Sequence, residues 1–153
     1  MRNLALCLVA VLAPLAVSAQ TRPVTVDDVL ALRVVGNAPA ISPDGRAVLF
    51  TVRQWVDSGA GKKDARPSIW RAPADASTPA RQITFGERGE TLPDWSSDGR
   101  FMSFVAARGR DARAQVWILR SDGGEARALT DAGENVQAYA WSPDSRRVAY
   151  TVA

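Results

Sequence analysis

The chain has 153 residues, 46% hydrophobic and 23% charged, a balance that suits one folded domain with a sizeable core and excludes a disordered polyelectrolyte. It contains no histidine, so neither a Ser-His-Asp nor a Cys-His catalytic system can be assembled from it, and the commonest transition-metal ligand is missing. The formal charge is +3, but Arg46, Arg53, Arg81, Arg100, Arg120, Arg127 and Arg146 are scattered among apolar and acidic residues. That spacing reads as a solvated β-surface; a nucleic-acid groove would cluster the charge and add stacking aromatics.

Residues 1–19 read as a secretory leader. Arg2 supplies a positive start, Leu4 to Val17 is almost uninterrupted apolar sequence, and Val17-Ser18-Ala19 offers small residues for cleavage before Gln20. The 16 residues from Leu4 to Ala19 fall short of the roughly 20 needed to cross a bilayer, so no membrane association is expected after cleavage. Leu6 is too large for lipid attachment at Cys7, the single cysteine. The mature chain, expected to be periplasmic or secreted, therefore has no disulfide to staple it.

Residues 20–37 form a lead-in with one short helix. Thr25 serves as N-cap with Asp28 at the third helical position, Val24 and Val29 have the spacing of a hydrophobic staple, and Val29, Leu30 and Leu32 give an apolar stripe. Gly36 or Asn37 is expected to end the helix before Pro39, and the helix to pack against the rim of the domain that begins at residue 38.

From residue 38 onward a pattern repeats. Pro39-Ala40-Ile41-Ser42-Pro43-Asp44-Gly45-Arg46 is followed by Val48 to Val52; Pro93-Asp94-Trp95-Ser96-Ser97-Asp98-Gly99-Arg100 by Phe101 to Val105; and Tyr139-Ala140-Trp141-Ser142-Pro143-Asp144-Ser145-Arg146 by Val148 to Val152. Asp44 and Asp98 are 54 residues apart, Asp98 and Asp144 are 46 apart, Trp70 and Trp117 are 47 apart, and Thr84 and Thr130 are 46 apart. A period near 45 residues carrying several short strands is the signature of a propeller blade. Proline presets φ, aspartate caps its own backbone and glycine accepts positive φ, so each Ser-Pro-Asp-Gly motif makes a hairpin turn. Val48, Phe50 and Val52 share one strand face, as do Phe101, Ser103 and Val105. Third strands are expected at Ile69-Trp70-Arg71 and Val116 to Leu119, and a fourth at Ala126 to Thr130. The fold class is all-β: a partial propeller of four-stranded antiparallel blades spanning 38–85, 92–131 and an incomplete 138–153. Ser97 in place of proline and Ser145 in place of glycine read as repeat drift. An arc of two and a half blades leaves edges uncovered, so the 153-residue chain alone is expected to be aggregation-prone and to belong to a longer product.

Other motif readings are weak. Asp94 to Gly99 faintly resembles the start of a calcium loop, but position twelve is Val105 where a glutamate is required. Gly59-Ala60-Gly61-Lys62-Lys63 lacks phosphate-loop spacing and falls in the long connection Arg53 to Pro67, read as a flexible solvated hairpin. Trp70 with Trp117 and Trp95 with Trp141 are assigned to inter-blade packing; Trp55 alone is free for contacts. No cofactor-binding, metal-binding or catalytic residue is expected.

The run Val24 to Val35, leading into Ala40-Ile41-Ser42-Pro43-Asp44-Gly45-Arg46, resembles the opening of acylaminoacyl-peptidase and dipeptidyl-peptidase relatives in the prolyl oligopeptidase family of serine peptidases. The resemblance implies a propeller that gates access for short peptides, followed by an α/β-hydrolase domain absent from these residues. No Gly-x-Ser-x-Gly elbow occurs here. TolB-type propellers share the Ser-Pro-Asp-Gly repeat, which leaves a non-enzymatic protein-binding module as the alternative.

Overall fold

The computed structural model describes residues 22–36, 38–109 and 113–153, so the leader at 1–19 and Asn37 lie outside the described residues. Among the described residues a single helix, α1 (Val26–Ala31), precedes eleven strands. Its capping box is present: Thr25 Oγ1 accepts from Asp28 N at 3.3 Å and Asp28 Oδ2 accepts from Thr25 N at 2.8 Å. An ion pair to Arg22 adds to these contacts and holds the Asp28 carboxyl well below the usual range. The helix ends earlier than the glycine signal suggests. Leu32 already has extended geometry, because the β-branched pair in β1 (Val34–Val35) joins the edge of β3 (Ala47–Gly59) at Val34↔Arg53 and Val35↔Val52. The expected apolar stripe does not seal the helix: Val24, Val29 and Leu32 are exposed and no helical residue is buried.

Three antiparallel sheets follow the repeat. The first joins β2 (Ala40–Ile41), β3, β4 (Lys62–Pro73) and β5 (Arg81–Gln82), with β1 added at its edge. The second runs β6 (Glu90–Trp95), β7 (Phe101–Ala107), β8 (Ala114–Arg120) and β9 (Arg127–Ala128) in chain order. The third pairs β10 (Val136–Trp141) with β11 (Val148–Val152). The first two are meanders and the third is a single hairpin, and together they make a partial β-propeller.

The motif turns behave as their residues dictate. In blade one, Gly45 N donates to Ser42 O at 2.8 Å, Gly45 sits at φ 71°, and Asp44 Oδ1 accepts from Ser42 Oγ (2.5 Å) and Arg46 N (3.0 Å). The same two carboxylate bonds recur at Asp98 and Asp144. The two departures from the motif prove to be specific rather than drift. Ser97 Oγ donates to Ser142 O at 3.0 Å, and Asp98 N donates to Ser145 Oγ at 2.8 Å. A proline at 97 or a glycine at 145 would remove one of these two bonds between neighbouring blades. Ser145 keeps the turn at φ 57°, a left-handed geometry that a short polar side chain tolerates at modest cost.

Packing between sheets makes the core. Ala47, Leu49 and Ile69 of blade one meet Trp95, Met102, Phe104, Ala106 and Leu119 of blade two. Leu49, rather than the alternate face of Val48 and Phe50, is the fully buried residue of β3. Blade two lies between its neighbours, so five consecutive residues of β7, Met102 to Ala106, are buried on both faces. The tryptophans divide accordingly. Trp95 Nε1 donates to Ala40 O across the first seam (3.2 Å), and Trp141 Nε1 to Ser103 Oγ across the second (2.8 Å). Trp70 and Trp117 do not bridge by hydrogen bonds: their ring nitrogens donate within their own blades, to Ser68 Oγ and Ala106 O.

The connection from Arg53 to Pro67 is the expected hairpin, with its strands paired almost to the tip. β3 and β4 stay in register out to Asp57↔Lys63 and close through Ala60 (φ 51°) and Gly61 (φ 73°), a pair with positive φ suited to a tight hairpin. Truncating Leu49 to alanine should cost about 2–5 kcal/mol, whereas Ser97→Ala, at an exposed bond, should cost less than about 1 kcal/mol. Paired urea melts of the two variants check this ranking.

Candidate functional site

Among the described residues no group of three or more potential ligands could hold a metal ion. The carboxylates of the calcium-like stretch serve the turn instead: Asp98 Oδ1 accepts from the Ser96 hydroxyl and from Arg100 N, and Asp94 Oδ1 from Trp95 N at 2.8 Å. Gly59-Ala60-Gly61-Lys62-Lys63 forms the tip of the β3–β4 ribbon, with both lysines exposed. Trp55 lies on that ribbon opposite Ala65 and is 42% exposed.

Two places concentrate polar chemistry. The first is a cleft of about 470 Å³ beneath the crossover from blade one to blade two, bordered by Thr84, Phe85, Gly86, Arg108, Leu119 and Ala126. Behind the lining residues Gly86 and Arg108, Glu90 has no exposed side-chain surface and pairs with Arg108. Glu90 Oε1 also accepts from Gly86 N at 3.0 Å, and a Cβ at Gly86 would collide with this carboxylate. The Arg108 guanidinium lies 5.1 Å from the Phe104 ring centroid and 4.9 Å from that of Trp117, a cation–π arrangement that offsets part of its desolvation. Glu90 thus ties the crossover backbone to the end of β7. The sequence hides this pair, because 18 residues separate its members and neither belongs to the repeat.

The second place is where the first strands of all three sheets converge. Tyr139 OH donates to Leu92 O (2.8 Å) and lies 2.9 Å from Ser103 Oγ, which also receives Trp141 Nε1. Ser103 is fully buried and stands where blade one has Leu49, so one hydroxyl converts an apolar packing position into a hydrogen-bonded hub between blades. Burial raises the Tyr139 hydroxyl pKa well above its ordinary value, with the nearby Asp94 charge adding to it. Asp94 lies beside Leu92 and Tyr139 in the same pocket, and burial raises its own carboxyl pKa above the usual carboxylate value.

Two meander sheets and a hairpin, packed face to face, define a β-propeller segment. No family model matches the chain. It is 35% identical over 130 residues to YuxL, described as an uncharacterized peptidase, of Bacillus subtilis (strain 168); the match covers 85% of this chain and 19% of that protein. The chain therefore spans about a fifth of the length of that curated relative. Among solved structures it resembles a putative TolB from Agrobacterium tumefaciens, at 28% identity and a TM-score of 0.56, covering 72% of this chain and 36% of that one. It also resembles the β-propeller domain of the Trilobed protease from Pyrococcus furiosus, at 16% identity and a TM-score of 0.58, covering 77% of this chain and 33% of that one. The second of these likenesses bears on the fold alone.

Removing the Glu90 carboxylate leaves Arg108 partly buried without its counter-charge. Glu90→Ala should lower unfolding free energy by about 2–3 kcal/mol. Glu90→Gln, which keeps the acceptor for Gly86 N, should lose less. Thermal melts of the two variants measure the difference.

Proposed function

We propose that this chain is the substrate-gating propeller segment of an exported serine-type peptidase acting on short peptides, with every catalytic residue supplied from outside it. The observation that carries this reading is the 35% identity to a peptidase across 130 residues, a stretch that takes in 85% of the chain. The chemistry of the residues agrees with a gating role. The chain has no histidine to act as general base, while its strands build a wall with polar groups at their convergence. The leader-like residues 1–19 support export to the periplasm or beyond. In the whole enzyme, peptide would be the partner of the propeller, and an α/β-hydrolase domain would supply the serine nucleophile.

A second reading is a TolB-like propeller that docks proteins without chemistry, which the 28% identity to a putative TolB structure favours. The gene beyond codon 153 separates the two: Gly-x-Ser-x-Gly within a hydrolase domain, followed by aspartate and histidine, supports the peptidase, and a stop codon after the last blade refutes it. The 153-residue chain by itself should hydrolyse no aminoacyl or dipeptidyl chromogenic substrate. Turnover above blank that survives serine-hydrolase-inhibitor controls for contamination would contradict the placement of catalysis elsewhere.

A further inference from the structure

The pocket where the first strands converge combines apolar walls with a single carboxylate. It measures about 200 Å³ and is lined by Ala38, Leu92, Pro93, Asp94, Ala138 and Tyr139. Ala38, Leu92 and Ala138 occupy the same position of the repeat in three successive blades, immediately before Pro39, Pro93 and Tyr139. The blades thus contribute equivalent apolar wall positions, and the Tyr139 hydroxyl is already engaged by Leu92 O.

Asp94 breaks the pattern. Its counterparts in blades one and three are Ala40 and Ala140, so a blade does not require a carboxylate there. The side chain is half-buried, one oxygen accepts from Trp95 N, and Asp94 takes part in no ion pair among the described residues. A carboxylate drawn partly out of water without a counter-charge is a cost that a bound cation would offset. Backbone strain lies on the same walls: Leu92 has φ 52° and Ala38 has φ 60°, left-handed geometry that is unfavourable for residues with a Cβ and that tends to cluster at functional sites.

We propose that this pocket takes the cationic side chain of a peptide, its methylene stem lying along Ala38, Leu92, Pro93 and Ala138 and its charged end meeting the Asp94 carboxylate. Apolar walls beside a lone anion match a long side chain with a terminal cation, which buries its stem and keeps its charge paired. The proposal rests on the reading of the chain as a peptide-handling propeller and names the class of peptide it favours.

The test is equilibrium binding to the full-length gene product, by calorimetry at low and moderate salt. The probes are acetyl-Ala-Lys-Ala-amide, acetyl-Ala-norleucine-Ala-amide and free-amine Ala-norleucine-Ala-amide. The lysine peptide should bind at least about tenfold more tightly than the acetylated norleucine peptide, and added salt should narrow that gap. Asp94→Asn keeps the acceptor for Trp95 N and should abolish the preference with an unchanged melting temperature. Equal binding of the two acetylated peptides, no binding of the lysine peptide, or a preference that survives Asp94→Asn overturns the proposal. So does binding of the free-amine norleucine peptide as tight as that of the lysine peptide, since an α-ammonium would then suffice. Lysine preference in a product that hydrolyses none of these peptides would refute only the peptidase reading. Hydrolysis without preference would refute only the pocket.

Discussion

A four-stranded meander of this size has too little interior to stand alone, and the constraint that shapes this chain is that each sheet must bury its face against the next. The first seam shows how. Trp95 inserts from blade two against Ala47, Leu49 and Ile69 of blade one, and its indole nitrogen reaches Ala40 O. The ring supplies apolar area and the nitrogen fixes the angle at which the sheets meet. Arg71 adds a brace: its guanidinium lies 5.5 Å from the Trp95 ring centroid, and Nη1 donates to Ser121 O at 3.0 Å. Everything else is arranged around such seams, including the turns whose serines bond across them.

The second seam solves the same problem with different chemistry. Val105, Val116 and Val136 provide a small apolar cluster, while Ser103, Tyr139 and Trp141 form a hydrogen-bonded hub. A buried polar network of this kind is directional, so it fixes the placement of blade three more narrowly than apolar contact alone. It also places a tyrosine hydroxyl and a carboxylate at the converging strands, where an all-leucine seam would offer a ligand nothing polar. Packing and the proposed recognition thus draw on the same few residues.

The repeat was legible in the sequence because turn chemistry is local: serine, proline, aspartate and glycine act over four residues, and Asp44, Asp98 and Asp144 each make the bonds their spacing implies. The capping box at Thr25 and Asp28 was legible for the same reason. What stayed hidden was set by distant partners. The helix was expected to run on to Gly36 or Asn37, yet it stops at Ala31 because β1 finds an open edge on β3. The hairpin through Ala60-Gly61 was expected, but its glycines and charges mask how far the strand register continues. Ser97 and Ser145 resembled drift because their partners lie 45 and 47 residues away. Glu90 and Arg108 carry no motif at all.

If the seams are what hold the blades, stability within the 153-residue chain taken by itself should peak in the blade that has two of them. Native-state hydrogen exchange measures this residue by residue. The slowest amides should lie in β7 and β8, between Met102 and Leu119, with those of β11 and of the ribbon beyond Arg53 exchanging much faster. Protection of Val148 to Val152 equal to that of Met102 to Ala106, or uniform protection across all three sheets, would contradict an architecture held together by packing between neighbouring blades.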